Sequence, residues 1–243
     1  MRSVYLCQLM GHKKLIRFEE IKKFANVLEH PQNMKGKWND FFKNDNNITL
    51  ELACGKGEYA VGLGSMFADR NFIGIDIKGN RIWRGAKTAI DNGLINVAFL
   101  RTEIDGINNY FDKDEVSEIW ITFPDPQLRL SKARKRLTHP KFLRMYQQFL
   151  KQDGLVNLKT DSPDLYRFTK TVIQLFDIEC LVDYDDAYAQ LAIRDELRIK
   201  THYESLDIAQ SSRIHYLQFK LNKELPAMLD EKLKQIIHEQ AND

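Results

Sequence analysis

The run Glu51-Leu-Ala-Cys-Gly-Lys-Gly57 follows the apolar residues 48–50. A strand that runs straight into a glycine turn lets backbone approach a nucleotide-like ligand and opens onto a helix. Gly55 and Gly57 are the turn, and Glu51 puts a carboxylate at the junction. Asp76 ends the next apolar run, 71–75, where an acid is placed to accept hydrogen bonds from ribose hydroxyls. Glu103 and Asp105 follow a third run, 96–101, at what would be the carboxyl edge of the sheet, where open α/β sheets bind ligands. Glu103, closer to the strand, is the preferred acceptor.

A second sharp feature is Ile119-Trp-Ile-Thr-Phe-Pro124-Asp125-Pro126. Two prolines stiffen the chain on both sides of one carboxylate. A rigid acid at a strand end suits positioning, although Asp125 could also simply cap a turn. Arg129, Lys132, Arg134, Lys135 and Arg136 follow directly. Such a run is commonly a solvated face; beside a base-binding pocket it would bind phosphates and steer RNA. Asp161 ends a fifth run in Asn157-Leu-Lys-Thr160-Asp161, and Thr201-His202-Tyr203-Glu204 lies in a polar stretch that reads as loop. Tyr203 could stack on an exposed base. The six histidines are scattered, and no Cys/His spacing indicates a metal.

These residues need a scaffold. Apolar runs at 48–52, 71–76, 96–101, 117–123 and 154–159 alternate with helical periodicity such as 81–91 and 140–151. Alternation of this kind implies right-handed crossovers and a mostly parallel sheet with helices on both faces. Asn92-Gly93 and Asp153-Gly154 are expected to stop helices. Later strands are expected at 178–182 and 214–221, then a helix from Leu225 with Pro226 in its first turn. Residues 1–45 are basic and amphipathic without a strand pattern, which suggests an arm ahead of one domain, 46–243.

With 243 residues the chain can bury a sizeable core, and 43% hydrophobic with 29% charged residues is ordinary for a globular protein. A net charge of +2 leaves any nucleic-acid affinity to local clustering. Three scattered cysteines do not form a disulfide framework and point to the cytoplasm. No stretch is long enough to span a bilayer. Oligomeric state is not legible.

The pattern Glu-x-x-x-Gly-x-Gly with a downstream acid resembles the cofactor half of class I S-adenosylmethionine-dependent methyltransferases. Gly55-x-Gly57-x-x-Ala60 also satisfies a dinucleotide fingerprint, so a nicotinamide-dependent oxidoreductase stays open on the loop alone. Glu51 favours the methyl donor, because a carboxylate there repels a pyrophosphate and suits a cationic methionine end. An RNA-binding module on the same scaffold, or methylation of another base or of protein, is a further alternative.

Four ordered features together resemble the bacterial tRNA (guanine-N(7)-)-methyltransferase family. They are Glu51-x-x-x-Gly-x-Gly57, Phe123-Pro-Asp-Pro126 with its basic run, Lys159-Thr-Asp161 and Thr201-x-x-Glu204. The resemblance implies a Rossmann-like α/β domain, S-adenosyl-L-methionine as cofactor, and the guanine at position 46 of the tRNA variable loop as substrate. It implies Glu51, Asp76, Glu103 and Asp125 as cofactor-side acids and Asp125 also as the catalytic carboxylate. Arg129, Asp161, Thr201, His202, Tyr203 and Glu204 would contact tRNA or guanine. Gln127, Arg129 and Glu103 stand where the family commonly has tryptophan, lysine and often aspartate. Arginine for lysine exchanges a point charge for a planar fork.

Overall fold

The computed structural model describes residues 15–206 and 212–240. Its strands are β1 (Val27–Glu29), β2 (Ile48–Leu52), β3 (Asn71–Asp76), β4 (Val97–Arg101), β5 (Val116–Thr122), β6 (Leu150–Thr160), β7 (Glu179–Tyr184) and β8 (His215–Lys220). They form one eight-stranded sheet in the order β1-β4-β3-β2-β5-β6-β8-β7. All pairings from β1 to β6 are parallel; β8 runs antiparallel to both β6 and β7.

After a helical stretch over 15–21, the helices are α1 (Trp38–Phe42), α2 (Glu58–Met66), α3 (Gly79–Asp91), α4 (Pro140–Tyr146), α5 (Pro163–Leu175) and α6 (Leu229–Glu239). Side chains alternate across the sheet, so each strand feeds two cores. Ile73, Ala98, Leu100, Ile119 and Val156 pack with Phe142, Leu165 and Leu233 on one face. Phe72, Val97, Phe99 and Trp120 pack with Tyr59, Leu63, Ile82 and Ala86 of α2 and α3 on the other. Coverage of both faces explains why β2 and β3 are buried along their whole length and read as unbroken apolar runs.

Four local expectations are corrected. The stretch 1–45 is not free of strand: β1 pairs with β4 through Val27 and Phe99. Three residues are too few to show a period, and the pairing is supplied by the open edge of β4. Trp38, in the same stretch, is fully buried and stacks on Phe111 at 5.3 Å. The Lys13-Lys14 pair lies outside the described residues. The helix expected over 140–151 ends at Tyr146, because Leu150 already pairs with Val116 of β5. Asp153-Gly154 therefore sits inside β6, with Asp153 exposed and Gly154 buried, where the register with β5 shifts, and stops no helix. In the tail, α6 begins at Leu229, so Pro226 precedes it.

Candidate active site

Strand order reverses direction around β2, which has β3 on one side and β5 on the other. Chain leaving the carboxyl ends of these strands diverges there and opens a crevice. A cavity of about 590 Å³ lies at this point, lined among others by Ala53, Asp76, Arg81, Phe123, Asp125, Asp161 and Tyr203. That volume is in the range that encloses a cofactor-sized ligand.

Each wall follows from local chain geometry. Ala53, next after β2, has φ +54°, and Phe123, next after β5, has φ +46°. Both are left-handed non-glycine residues, so two adjacent strands end in equally sharp, strained turns at the same edge. Gly55 and Gly57 continue the first turn at φ +56° and +71°. Gly57 caps α2, and a Cβ there would stand 2.4 Å from Cε1 of Phe99. Only glycine permits this approach.

Glu51 is buried, and its carboxylate accepts from the Ala60 amide at 2.8 Å and the Thr122 hydroxyl at 3.1 Å. Burial pushes its carboxyl up to about 8 against these two bonds. It does not line the cavity but lies beneath the turn that does. Asp76 does line it, and also holds the loop: one oxygen accepts from Gly55 N at 2.9 Å, the other from Lys78 N at 2.8 Å. A carboxylate has about four acceptor positions, which leaves two for ribose hydroxyls.

Asp125 is exposed on the cavity wall, with its Oδ1 accepting from the Gln127 amide at 3.0 Å. Gln127 has φ +48°, so the Pro124–Gln127 loop is framed by two left-handed residues. Asp161 reaches the cavity from the end of β6, one residue before Ser162 caps α5 by accepting from Leu165 N at 3.2 Å. Tyr203 closes the opposite side, its ring 3.2 Å from where a Gly55 Cβ would be and 5.4 Å below the Arg81 guanidinium.

The remaining sequence candidates lie elsewhere. Glu103 is exposed ahead of the short 3-10 turn Ile104–Asn109 and is not on the cavity wall; Asp105 pairs with Lys141. Arg129 is exposed just beyond the wall residue Leu128. His202 is exposed and meets the Tyr203 ring edge-on at 5.7 Å. Thr201 is buried and accepts from Glu204 N at 3.1 Å, while the Glu204 carboxylate takes Lys159 at 3.0 Å. Thr201 and Glu204 thus shape the turn that carries Tyr203.

Two residues have buried roles that the sequence did not assign: Arg136 was read with the phosphate-binding run, and Lys159 only as part of Lys159-Thr-Asp161. Arg136, the last cation of the basic run, is buried where Arg129, Lys132, Arg134 and Lys135 are exposed. It donates to the carbonyls of Pro126 at 3.1 Å and Gln127 at 3.2 Å, and packs 4.5 Å over Phe168. It therefore holds the Asp125 loop. Only the run's helical offset could have hinted at a buried member. Lys159, buried near the end of β6, is the other. Among the described residues no group of three or more His, Cys, Asp or Glu side chains could hold a metal, and no helix is long and apolar enough to cross a membrane.

A family model described as "Putative methyltransferase" matches residues 45–217. The chain also shares the fold of the 16S rRNA methyltransferase KamB (TM-score 0.59, 13% identity, 80% of this chain and 98% of that one). A 30S ribosomal A1408 methyltransferase from an uncultured bacterium is similar at TM-score 0.56 and 15% identity, over 78% of this chain and 95% of that one. Fold and site together define a Rossmann-like class I methyltransferase. Among curated relatives, the tRNA (guanine-N(7)-)-methyltransferase of Bacteroides thetaiotaomicron is 45% identical over 88% of each chain, and that of Christiangramia forsetii 47% identical over 87% of this chain and 100% of that one. The chain belongs to the tRNA (guanine-N(7)-)-methyltransferase family.

Proposed function

We propose that this protein transfers a methyl group from S-adenosyl-L-methionine to N(7) of a guanine in tRNA, and that the guanine is the one at position 46 of the variable loop. The observation that carries the site assignment is that Asp76 and Asp125 line one cavity, with exposed cations beginning one residue past its wall.

S-adenosyl-L-methionine, when bound, supplies an electrophilic methyl on a sulfonium. The residues present fit it: a close glycine turn, Asp76 with acceptor positions to spare for ribose, and the Glu51 carboxyl beneath the turn for its cationic end. Gly55 and Gly57 allow close approach, and Glu103, two residues past the end of β4, serves the adenine side. Guanine N(7) carries no proton, so the chain needs no strong general base. Asp125 holds the base by its N–H edge and offsets the positive charge that develops on the ring. Asp161, Tyr203 and His202 contact the base and its neighbours, with Thr201 and Glu204 fixing their turn. Arg129, Lys132, Arg134 and Lys135 engage phosphates. Lys35 and Lys37, exposed in the 1–45 segment, extend that basic surface ahead of the 46–243 methyltransferase domain. The enzyme works in the cytoplasm, where its substrate is.

The test is methyl incorporation from labelled S-adenosyl-L-methionine into unmodified tRNA, mapped by nucleoside analysis, for the native chain and Asp125→Ala. The expected product is 7-methylguanosine at position 46, absent with the folded Asp125→Ala variant. Another modified nucleoside, or full activity without Asp125, contradicts the reading.

A further inference from the structure

Lys159 is fully buried, and its side chain does not reach the cavity wall. A lysine removed from water is costly unless its charge and its three N–H groups are matched. Here the match is complete. Nζ reaches Glu204 Oε2 at 3.0 Å, Leu197 O at 2.9 Å, Ile199 O at 3.0 Å and the Tyr188 hydroxyl at 3.1 Å. The rings of Tyr59, Phe123 and Tyr188 surround it at 5.3–5.5 Å.

All four hydrogen-bond partners lie on one stretch, residues 188–204. The same stretch is seated on α2 and the glycine turn at two glycines. A Cβ on Gly62 would stand 2.9 Å from Ile199 Cδ1, and a Cβ on Gly55 would stand 3.2 Å from Tyr203 Cε2. Glu204, the ion partner, directly follows Tyr203. The main chain of Lys159 is tied to the other half of the site, since its carbonyl accepts from Phe123 N at 2.9 Å, just ahead of Pro124-Asp125.

We propose that Lys159 is a positioning residue for the cofactor half of the site: its ammonium, through Glu204 and the carbonyls of Leu197 and Ile199, holds Tyr203 over Gly55 and so retains S-adenosyl-L-methionine in the cavity. This rests on the cofactor reading of that cavity. Lys159 touches no reactant. Its effect passes through the Tyr203 ring, and a core lysine that only stabilised the fold would not change cofactor affinity.

The experiment is a double-mutant cycle on the full chain, read by calorimetric binding of S-adenosylhomocysteine. The variants are Lys159→Met, Tyr203→Ala and both together. Each single variant is expected to weaken binding about tenfold, and the double to be no weaker than Tyr203→Ala alone. In steady state, Lys159→Met raises KM for S-adenosyl-L-methionine while kcat at saturating cofactor holds. Glu204→Gln, which keeps the volume and the acceptor, repeats the cycle from the other partner should Lys159→Met fail to fold. A lowered melting temperature with unchanged affinity overturns the proposal, as do losses that add fully in the double variant. If the native chain binds no S-adenosylhomocysteine, the cofactor reading falls and the proposal with it; if it binds and the cycle is additive, only the proposal falls.

Discussion

Asp76 Oδ2 lies 2.9 Å from the amide of Gly55, so the acid that ends β3 pins the glycine turn that leaves β2. One carboxylate thereby shapes the loop and faces the cavity. Asp76→Asn keeps a single acceptor oxygen and must orphan either Gly55 N or Lys78 N. The expected result is a stability loss of about 1–3 kcal/mol with cofactor affinity reduced by an order of magnitude or more. Thermal unfolding and calorimetry together check it; an intact affinity would show that Asp76 acts on the loop alone.

Glu51 links pH to both stability and binding. The folded chain holds its carboxyl proton up to about pH 8, and the unfolded chain releases it near 4.5. The stability this group contributes is therefore fully present below pH 4.5 and is lost as pH rises through 8. A cationic ligand end brought close favours the carboxylate. Binding of S-adenosylhomocysteine near neutral pH should release protons, seen as a buffer-dependent heat, and Glu51→Gln should abolish that dependence and flatten the pH profile of the melting temperature.

The basic run divides by burial. Removing Lys132, Arg134 or Lys135 should weaken tRNA binding and lower the slope of log affinity against log salt by about 0.7–0.9 for each phosphate no longer neutralised. Arg136→Ala should leave that slope alone and lower kcat, because the carbonyls of Pro126 and Gln127 lose their donor and the Asp125 loop is freed. Salt titrations of binding beside single-turnover rates separate the two; an equal salt effect from Arg136 would make it a phosphate ligand.

Phe99 is the floor of the glycine turn. Cβ atoms at Gly57, Gly74 and Gly85 would come within 2.4–2.6 Å of its ring. Gly57→Ala combines that clash with φ +71° and should cost about 2–4 kcal/mol. Combination with Phe99→Leu relieves the clash but not the backbone strain, so denaturant titration should recover part of the loss. Full recovery would mean that strain is negligible here.

Much of this was legible in one dimension. The unbroken apolar runs 48–52 and 71–76 coincide with β2 and β3, since burial on both faces leaves no polar alternation to misread. Asp76, Asp125, Asp161 and Tyr203, each singled out by its motif, line one cavity. Two of the boundaries that failed were set by a partner strand. Leu150 follows α4 within four residues and looks like its continuation; its place in β6 comes from Val116. Nothing local marks Val27–Glu29 as a strand.

The sequence alone determined the α/β alternation, the glycine turn, the strand-end acids and the family, because each is a short-range pattern of residue types. Only the tertiary structure decided what those residues do to one another. It turned Glu204 towards Lys159 and buried Arg136 under the loop it holds. It also set Tyr203 on Gly55, far apart along the chain. Charge and polarity are written in the sequence. Whether a charge faces water or a buried partner is settled by which elements the sheet brings together, and that in turn fixes whether a residue binds a ligand or positions one that does.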